Sequence, residues 1–319
     1  MGKHLLIFAL LGSALMLSCS ANIGEANGKS LSHREFIGRL MDSHPQYFNK
    51  SRGFVEEKLY DWKRLKVALE EYLGDEAIHR DLIESGFKAR INPKRKELYR
   101  LITLGVFSRL NTARRTNLNS LMKSEKNIIY KTMLPLNLDD KQERPVIQVK
   151  GHITLTQKDL MAIFPDRNLK ELNELVRSNV LPNLYYALEG TRLGLDRDSV
   201  FKRYWNMRWR FYLIKEYRNK VKTDIVNSIL ADNSDRLKKY FEENKNRYVI
   251  YKKNNKIKDD KREKYQYSFL RLRDSVAKDL SEEDMERWKR KIMIKYNCQV
   301  NDDYFNELGK KEITKYKNQ

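Results

Sequence analysis

The sequence predicts a mostly helical chain with a small α/β segment at its C-terminal end. Glycine and proline are sparse, 13 and 6 in 319 residues, too few for a turn-rich β protein. Apolar side chains recur at three- and four-residue steps through several long stretches, the spacing of one helix face. Strand-like runs are short and gather near the end, at residues 247–252 and 265–272. With 40% hydrophobic and 11% aromatic residues, the chain can bury a sizeable core.

The first eighteen residues are set apart. One cation, Lys3, precedes the uncharged run Leu5 to Leu17. That run is shorter than the roughly 20 apolar residues needed to span a bilayer, and it has the length and flanks of a signal-peptide core. Ser18 and Cys19 follow, then a polar stretch. A small residue before a cysteine at this point is similar to a lipobox, with Met16 and Leu17 as departures from the usual leucine-then-small pattern. The expectation is cleavage after residue 18 and lipidation of Cys19. Each buried acyl methylene contributes about 0.8 kcal/mol, so two or more chains hold a protein on a membrane. The resulting address is a bacterial cell envelope, at the periplasmic face of the outer membrane. With Cys19 acylated, Cys298 stands alone and the fold must be held by packing without an internal disulfide.

The remainder divides into an N-terminal helical half (19–111), a polar connection (112–145), a second helical region (146–252) and a small α/β tail (253–319). Two short phrases resemble each other. One runs from Gly28 through Leu31, Ser32 and Glu35 to Phe36. The other runs from Gly151 through Leu155, Thr156 and Asp159 to Leu160. Both read as a glycine turn feeding a capped helix, with the hydroxyl accepting from free N–H groups and the acid near the positive helix end. Residues 145–149 read as a strand before the second copy.

In the first half, residues 54–73 place Val55, Leu59, Trp62, Leu69 and Leu73 on one stripe ended by Gly74. A second helix over 75–85 closes at Gly86. Asn92-Pro93 starts a third, with Leu98, Leu101, Ile102 and Val106 inward. Residues 112–144 show weak periodicity and are expected to carry little fixed structure. Beyond the second phrase, residues 169–189 form an amphipathic helix that Pro182 should kink. A long helix over 199–221 carries the stripe Tyr204, Met207, Phe211, Ile214 and Tyr217. Ser234 caps a helix over 235–244. Ser281 with Asp284 caps another, carrying Met285, Trp288 and Ile292, and Tyr304, Phe305 and Leu308 add a last short element.

The net charge of +21 admits nucleic acid, anionic lipid or acidic proteins as partners. Basic residues are interleaved with acids throughout, and no zinc-finger spacing or RNA-recognition motif occurs. The expectation is no nucleic acid, with attraction to anionic headgroups as a secondary effect. No GxSxG, HExxH, P-loop or CxxC phrase occurs, and no cofactor or metal is expected. The acidic pairs Glu56-Glu57, Glu70-Glu71 and Glu242-Glu243 are expected to be solvated.

From Gly190 to Tyr248, the chain resembles the exported SurA/PrsA-type foldase chaperones, which carry parvulin-type prolyl isomerase domains. The matching phrases are Gly194-Leu195-Asp196, the basic-aromatic helix from Val200 to Tyr217 and the stretch from Tyr240 to Tyr248. The phrase at Gly151 to Leu160 matches an earlier one in that family. The resemblance covers roughly residues 146–252 and implies a SurA-N-like helical chaperone architecture. Its usual catalytic domain is not legible here: none of the five histidines lies beyond His152, and Ser268 stands where a strand histidine would be expected. The tail is therefore expected to be a degenerate parvulin remnant and the protein not to be an enzyme. The resemblance implies a chaperone-like lipoprotein for unfolded or nascent envelope proteins, with Tyr185, Tyr186, Tyr204, Trp205, Trp209 and Tyr212 as client contacts. Trp205, Trp209 and Tyr212 lead this set because they lie off the main stripe. The competing expectation is a surface-exposed adhesin or host-ligand binder on the same scaffold.

Overall fold

The computed structural model describes residues 21–36, 39, 62–111, 117–125, 128–130, 143, 145–232, 235–252, 263–266 and 269–308. The expected signal segment, Cys19 and the pair Glu56-Glu57 lie outside them, as do Val55, Leu59 and Ser234. The chain is mostly α with small antiparallel sheets. It divides into two compact units. Unit 1 comprises residues 1–37, 54–84 and 214–319, and unit 2 comprises 38–53 and 85–213. Unit 2 is thus inserted in the sequence of unit 1. The expected boundaries at 111, 146 and 252 do not coincide with these, because they followed composition along the chain whereas the cores join segments distant in sequence.

Unit 1 begins with a hairpin, β1 (Asn22–Ala26) and β2 (Lys29–Ser32). Its turn residues Asn27 and Gly28 both have positive φ, 56° and 72°, the backbone that a two-residue type I′ turn demands and that Asn-Gly supplies best. Ser32 Oγ then accepts from the Glu35 N–H at 3.2 Å, starting a helical turn at 33–36. Leu31 and Phe36, on either side of this cap, are fully buried.

α1 (Trp62–Glu84) is one helix that continues through Gly74. Gly74 therefore does not stop the predicted helix. It is buried, and a Cβ there would meet Lys289 Cε at 2.4 Å, so its missing side chain makes room for the lysine stem. The α1 stripe Leu65, Leu69, Leu73, Ile78 and Leu82 packs inward, each leucine contributing about 1.5–3 kcal/mol by leaving water.

Unit 2 opens with α2 (Pro93–Asn111), where Asn92 Oδ1 accepts from the Lys94 N–H at 2.9 Å and proline occupies the first turn, as expected. Leu98 and Leu101 are buried, whereas Ile102 is half-buried against the same core. The segment expected to lack fixed structure contains α3 (Leu118–Ser124), capped by Asn117, and β3 (Ile128–Tyr130). Leu121 and Ile128 anchor these to the unit 2 core, so tertiary packing supplies the order that weak periodicity concealed.

β4 (Pro145–Val149) and β5 (Ile153–Thr156) form the second hairpin, and β3 completes a sheet of order β3-β4-β5. Gly151 turns it with φ 78°. At the start of α4 (Gln157–Ile163), Thr156 and Asp159 form the full capping box. Burial raises the Asp159 carboxyl, but bonds from Lys94 and Thr156 outweigh it and hold the group below its ordinary value. Leu155 and Leu160 are buried as Leu31 and Phe36 are. The two similar phrases thus adopt the same local structure.

The helix expected to bend at Pro182 is α5 (Leu169–Leu175), a π-helical turn at Val176–Val180, and α6 (Leu181–Arg192). A wider turn just before proline accommodates its missing N–H and its ring. α2 and α6 cross very closely. A Cβ on Gly105 would lie 2.0 Å from the Asn183 carbonyl oxygen, and one on Gly190 would lie 3.2 Å from Ser108 Cβ.

Gly194, with φ 72°, leads through a short 3₁₀ turn at Leu195–Arg197 into α7 (Ser199–Ala231), whose first part belongs to unit 2 and whose remainder belongs to unit 1. In unit 1, α8 (Asp235–Glu243) precedes the hairpin β6 (Val249–Lys252) and β7 (Glu263–Gln266). α9 (Phe269–Lys295) is a single helix of 27 residues. The predicted helix start at Ser281 is therefore incorrect: Ser281 is fully buried mid-helix and its hydroxyl donates back to the Lys278 carbonyl at 2.6 Å. The predicted strand over 265–272 is likewise shorter, since α9 begins at Phe269. β8 (Gln299–Val300) pairs antiparallel with β1, giving the order β2-β1-β8. Residues 302–308 form the last short helix among the described residues, with Phe305 fully buried.

Candidate functional site

The aromatic residues expected to contact clients fall in unit 2, and three of the six are interior. On α7, positions 205, 209 and 212 share one face by their i, i+4, i+7 spacing. Trp205 and Trp209 stack at 5.5 Å between centroids, and Trp209 and Tyr212 at 5.1 Å. Tyr99 of α2 adds to the column at 4.3 Å from Tyr212, and the Arg95 guanidinium lies 5.2 Å from the Tyr212 ring. Trp209 and Tyr212 are 7% and 8% exposed, while Trp205 is half-buried. The buried Trp209 Nε1 has no acceptor among the described residues. Phe107, Phe201 and Tyr204 form a neighbouring aromatic group, with Tyr204 half-buried.

Tyr185 is buried in the unit 2 core, where burial pushes its phenol above the ordinary value. Tyr186 is half-buried beneath the Arg109 guanidinium at 5.2 Å. The main stripe of α7 was thus assigned to the wrong face in unit 2. Phe201, Trp209, Tyr212 and Leu213 are buried there, whereas Tyr204, Met207 and Phe211 are only half-buried. Both faces are aromatic, and periodicity alone did not separate core from flank. Tyr185, Trp209 and Tyr212 are enclosed in this structure, and Tyr186, Tyr204 and Trp205 keep partial access to solvent.

Unit 1 holds a polar network that no sequence motif announced. Asp81 of α1 accepts from Tyr217 Oη at 2.8 Å, Lys295 Nζ at 3.0 Å and Tyr296 Oη at 3.0 Å. Tyr296 Oη also reaches Glu84 Oε2 at 2.7 Å. Burial would raise the Asp81 carboxyl, but these hydrogen bonds and the Lys295 charge outweigh it and place it below its ordinary value. Burial, together with the Glu84 and Asp81 carboxylates, pushes the Tyr296 phenol up to about 12 against the opposing Lys295 bond. This network ties α1, α7 and the end of α9 together.

Unit 1 holds a cleft of about 500 Å³ between α7, the start of α8, and α9. One wall is a stripe of α7, Asp224, Ile225, Ser228 and Ile229, with Asp232 just past its end. The other is a stripe of α9, Asp284, Arg287, Trp288 and Lys291, joined by Arg236 from α8. Arg236 holds Asp284 through two bonds of 2.9 and 3.1 Å, and Arg287 also bonds this carboxylate. Hydrogen bonding from Arg236, then burial in opposition, then the two arginine charges leave Asp284 below its ordinary value. The sequence places Trp288 on a helix with Met285 and Ile292 but does not pair the charges around it. Their i, i+3, i+4, i+7 spacing on α9 was the available signal.

Among the described residues, no group of three or more His, Cys, Asp or Glu is arranged to hold a metal ion. Among them too, no helix is long and apolar enough to cross a membrane. Cys298 is a buried free thiol, and burial raises it above its ordinary value, so it serves as core packing. Glu70-Glu71 and Glu242-Glu243 are exposed, as expected. Comparison with known proteins gave no matching family model, no matching curated protein and no matching solved structure.

Proposed function

We propose that this chain is a membrane-anchored, chaperone-like lipoprotein of the bacterial envelope that binds unfolded or partly folded exported proteins without prolyl isomerase activity. The observation that carries the reading is the unit 1 cleft, which combines an apolar floor of Ile225, Ile229 and Trp288 with ionic groups at its rim. Pockets of this size and mixed lining suit ligands that offer a few apolar side chains and oriented polar groups. The family-like phrases add support. Gly194 makes the left-handed turn before the basic-aromatic helix, and the Tyr240 to Tyr248 phrase ends with Tyr248 buried and its hydroxyl donating to Asp279 at 2.7 Å. Cys19 supplies the anchor in this reading, with the body held at the periplasmic face of the outer membrane.

The test uses the soluble chain from Ser20 to Gln319. It should suppress aggregation of an unfolded outer-membrane protein at equimolar ratio while leaving the rate of prolyl isomerisation in a peptide unchanged. Aggregation unaffected by the protein refutes the chaperone reading, and a clear acceleration of isomerisation refutes its non-enzymatic part. Mass spectrometry of the mature amino terminus tests the anchor, and an unmodified Cys19 removes it.

A further inference from the structure

We propose that the unit 1 cleft takes a peptide segment in which an aliphatic or aromatic side chain lies between a basic and an acidic residue. The basic residue faces α7 and the acidic one faces α9. This inference takes its source of peptide from the client-binding reading and specifies the ligand of that cleft.

Apart from Asp284, which Arg236 and Arg287 hold, the charges on the two walls are sorted. The α7 wall carries carboxylates at Asp224 and Asp232 on either side of Ile225 and Ile229, and no basic residue of α7 lines the cleft. The α9 wall carries Arg287 and Lys291 on either side of Trp288. Part of this charge is already matched: Lys220 pairs with Asp224 at 2.5 Å, and Asp284 accepts from both Arg236 and Arg287. Asp232 and Lys291 have no side-chain partner among the described residues, and both are exposed at the rim. Among the described residues, the cleft is thus left with an unmatched anion on one wall, an unmatched cation on the other, and an apolar floor.

Candidate ligand classes differ in how they meet that pattern. A neutral apolar molecule leaves both charges without partners. A nucleic acid or an anionic headgroup brings phosphate against the α7 carboxylates, where like charges repel. A peptide carries both signs and apolar side chains within a few residues, and it alone among these can satisfy the floor and both walls together.

The experiment measures fluorescence anisotropy of labelled peptides with the chain from Ser20 to Gln319. One peptide carries Lys, Leu and Glu in that order on a Ser-Gly background, a second replaces Leu by Ser, and a third exchanges Lys and Glu at the ends of a background fixed in direction by a bulky terminal group. Lys291→Glu and Asp232→Lys each should weaken the first peptide by about five-fold or more, and the Leu-to-Ser peptide should bind less tightly to the unaltered protein. The double variant should prefer the charge-exchanged peptide, recovering affinity that both single variants lose. Circular dichroism melts confirm that these rim variants remain folded. Binding that is undetectable, indifferent to both substitutions, or equal for the Leu and Ser peptides overturns the inference. So does Lys291-dependent binding to phosphatidylglycerol vesicles with no peptide binding. Charge-dependent peptide binding without suppression of aggregation would sink the chaperone reading and leave the cleft assignment standing. Suppression with charge-indifferent peptide binding would do the reverse.

Discussion

Replacing Gly105 by alanine isolates the closeness of the α2–α6 crossing from helix propensity, because the two effects have opposite signs. In a helix interior, Gly→Ala gains about 1 kcal/mol by restricting the unfolded chain and favouring helix. At Gly105 the added carbon would lie 2.0 Å from the Asn183 carbonyl oxygen, 2.7 Å from its carbonyl carbon and 2.9 Å from its Cα. Ordinary contact begins at about 3.5 Å, so the helices must separate by roughly 1.5 Å. Every close contact along the crossing loosens with them, including Gly190 against Ser108 and Leu104. Overpacking costs about 1–3 kcal/mol where side chains can adjust, and here the obstacle is backbone, which places the cost at the upper end. The expected net loss is about 2 kcal/mol, equivalent to roughly 4–8 °C in Tm at 2–4 °C per kcal/mol. Gly74→Ala is the matched control. Its Cβ meets the far end of the flexible Lys289 side chain, which can swing aside, so that variant should be neutral or up to about 1 kcal/mol more stable. Thermal and urea melts followed by far-UV circular dichroism compare the two. Gly105→Ala melting at or above the unaltered protein, or both variants shifting the same way, would refute the backbone-contact argument.

The Asp81 network predicts a pH dependence at both ends. A carboxyl held below its ordinary value stabilises the fold above that value and loses this contribution as pH falls through the lowered one, so stability should decline below about pH 4. Asp81→Asn should flatten that decline in urea titrations across the acid range. Tyr296, pushed up to about 12, stabilises the neutral side and loses its contribution as pH rises from about 10 toward 12. Tyr296→Phe should remove that alkaline loss, and an unchanged profile would show that the phenol is not shifted. Thr156→Ala removes the capping box and should cost about 1 kcal/mol, read from a urea midpoint shift at constant slope. Cys298, in a chain lacking Cys19, should react with a thiol reagent only as the protein unfolds. Rapid stoichiometric labelling under native conditions would contradict its burial.

Local backbone signals were read well because they act within a few residues. The Thr156–Asp159 cap, the turn glycines Gly28, Gly151 and Gly194, the Asn92-Pro93 start and the strand at Pro145–Val149 all stand where the sequence placed them. Gly74 and Ser281 were misread for one reason. Each residue type ends or starts helices when exposed, and each is buried here, where the Lys289 stem fills the space beside the glycine and the helix's own Lys278 carbonyl takes the serine hydroxyl. The aromatic face of α7 was misread because Trp and Tyr occupy both its sides, and only the opposing Tyr99 and Phe107 of α2 decide which side is core. The cleft was missed because its walls come from segments some sixty residues apart, and nothing local links Asp232 to Lys291.

The two similar phrases show how one local signal can serve two different completions. In unit 2 the hairpin gains its third strand from β3, which precedes it in the chain. In unit 1 the third strand is β8, which follows the hairpin by more than 260 residues, and Gly24 admits it: a Cβ there would lie 2.7 Å from the Gln299 carbonyl oxygen. The last described segment is therefore part of the first hairpin's sheet and not a separable tail. Phe305, fully buried, and the Lys66–Asp302 ion pair at 2.7 Å fasten the following short helix to the same unit. A chain truncated after Lys295 would leave β1 with an open edge and remove Cys298 and Phe305 from the core, while the elements of unit 2 keep all of their own partners. Loss of structure should then fall on unit 1 alone, with amide exchange accelerated in β1, α1 and α9 and preserved in α2, α6 and the β3-β4-β5 sheet. Uniform acceleration across both units would mean that they do not fold as the separate cores described above.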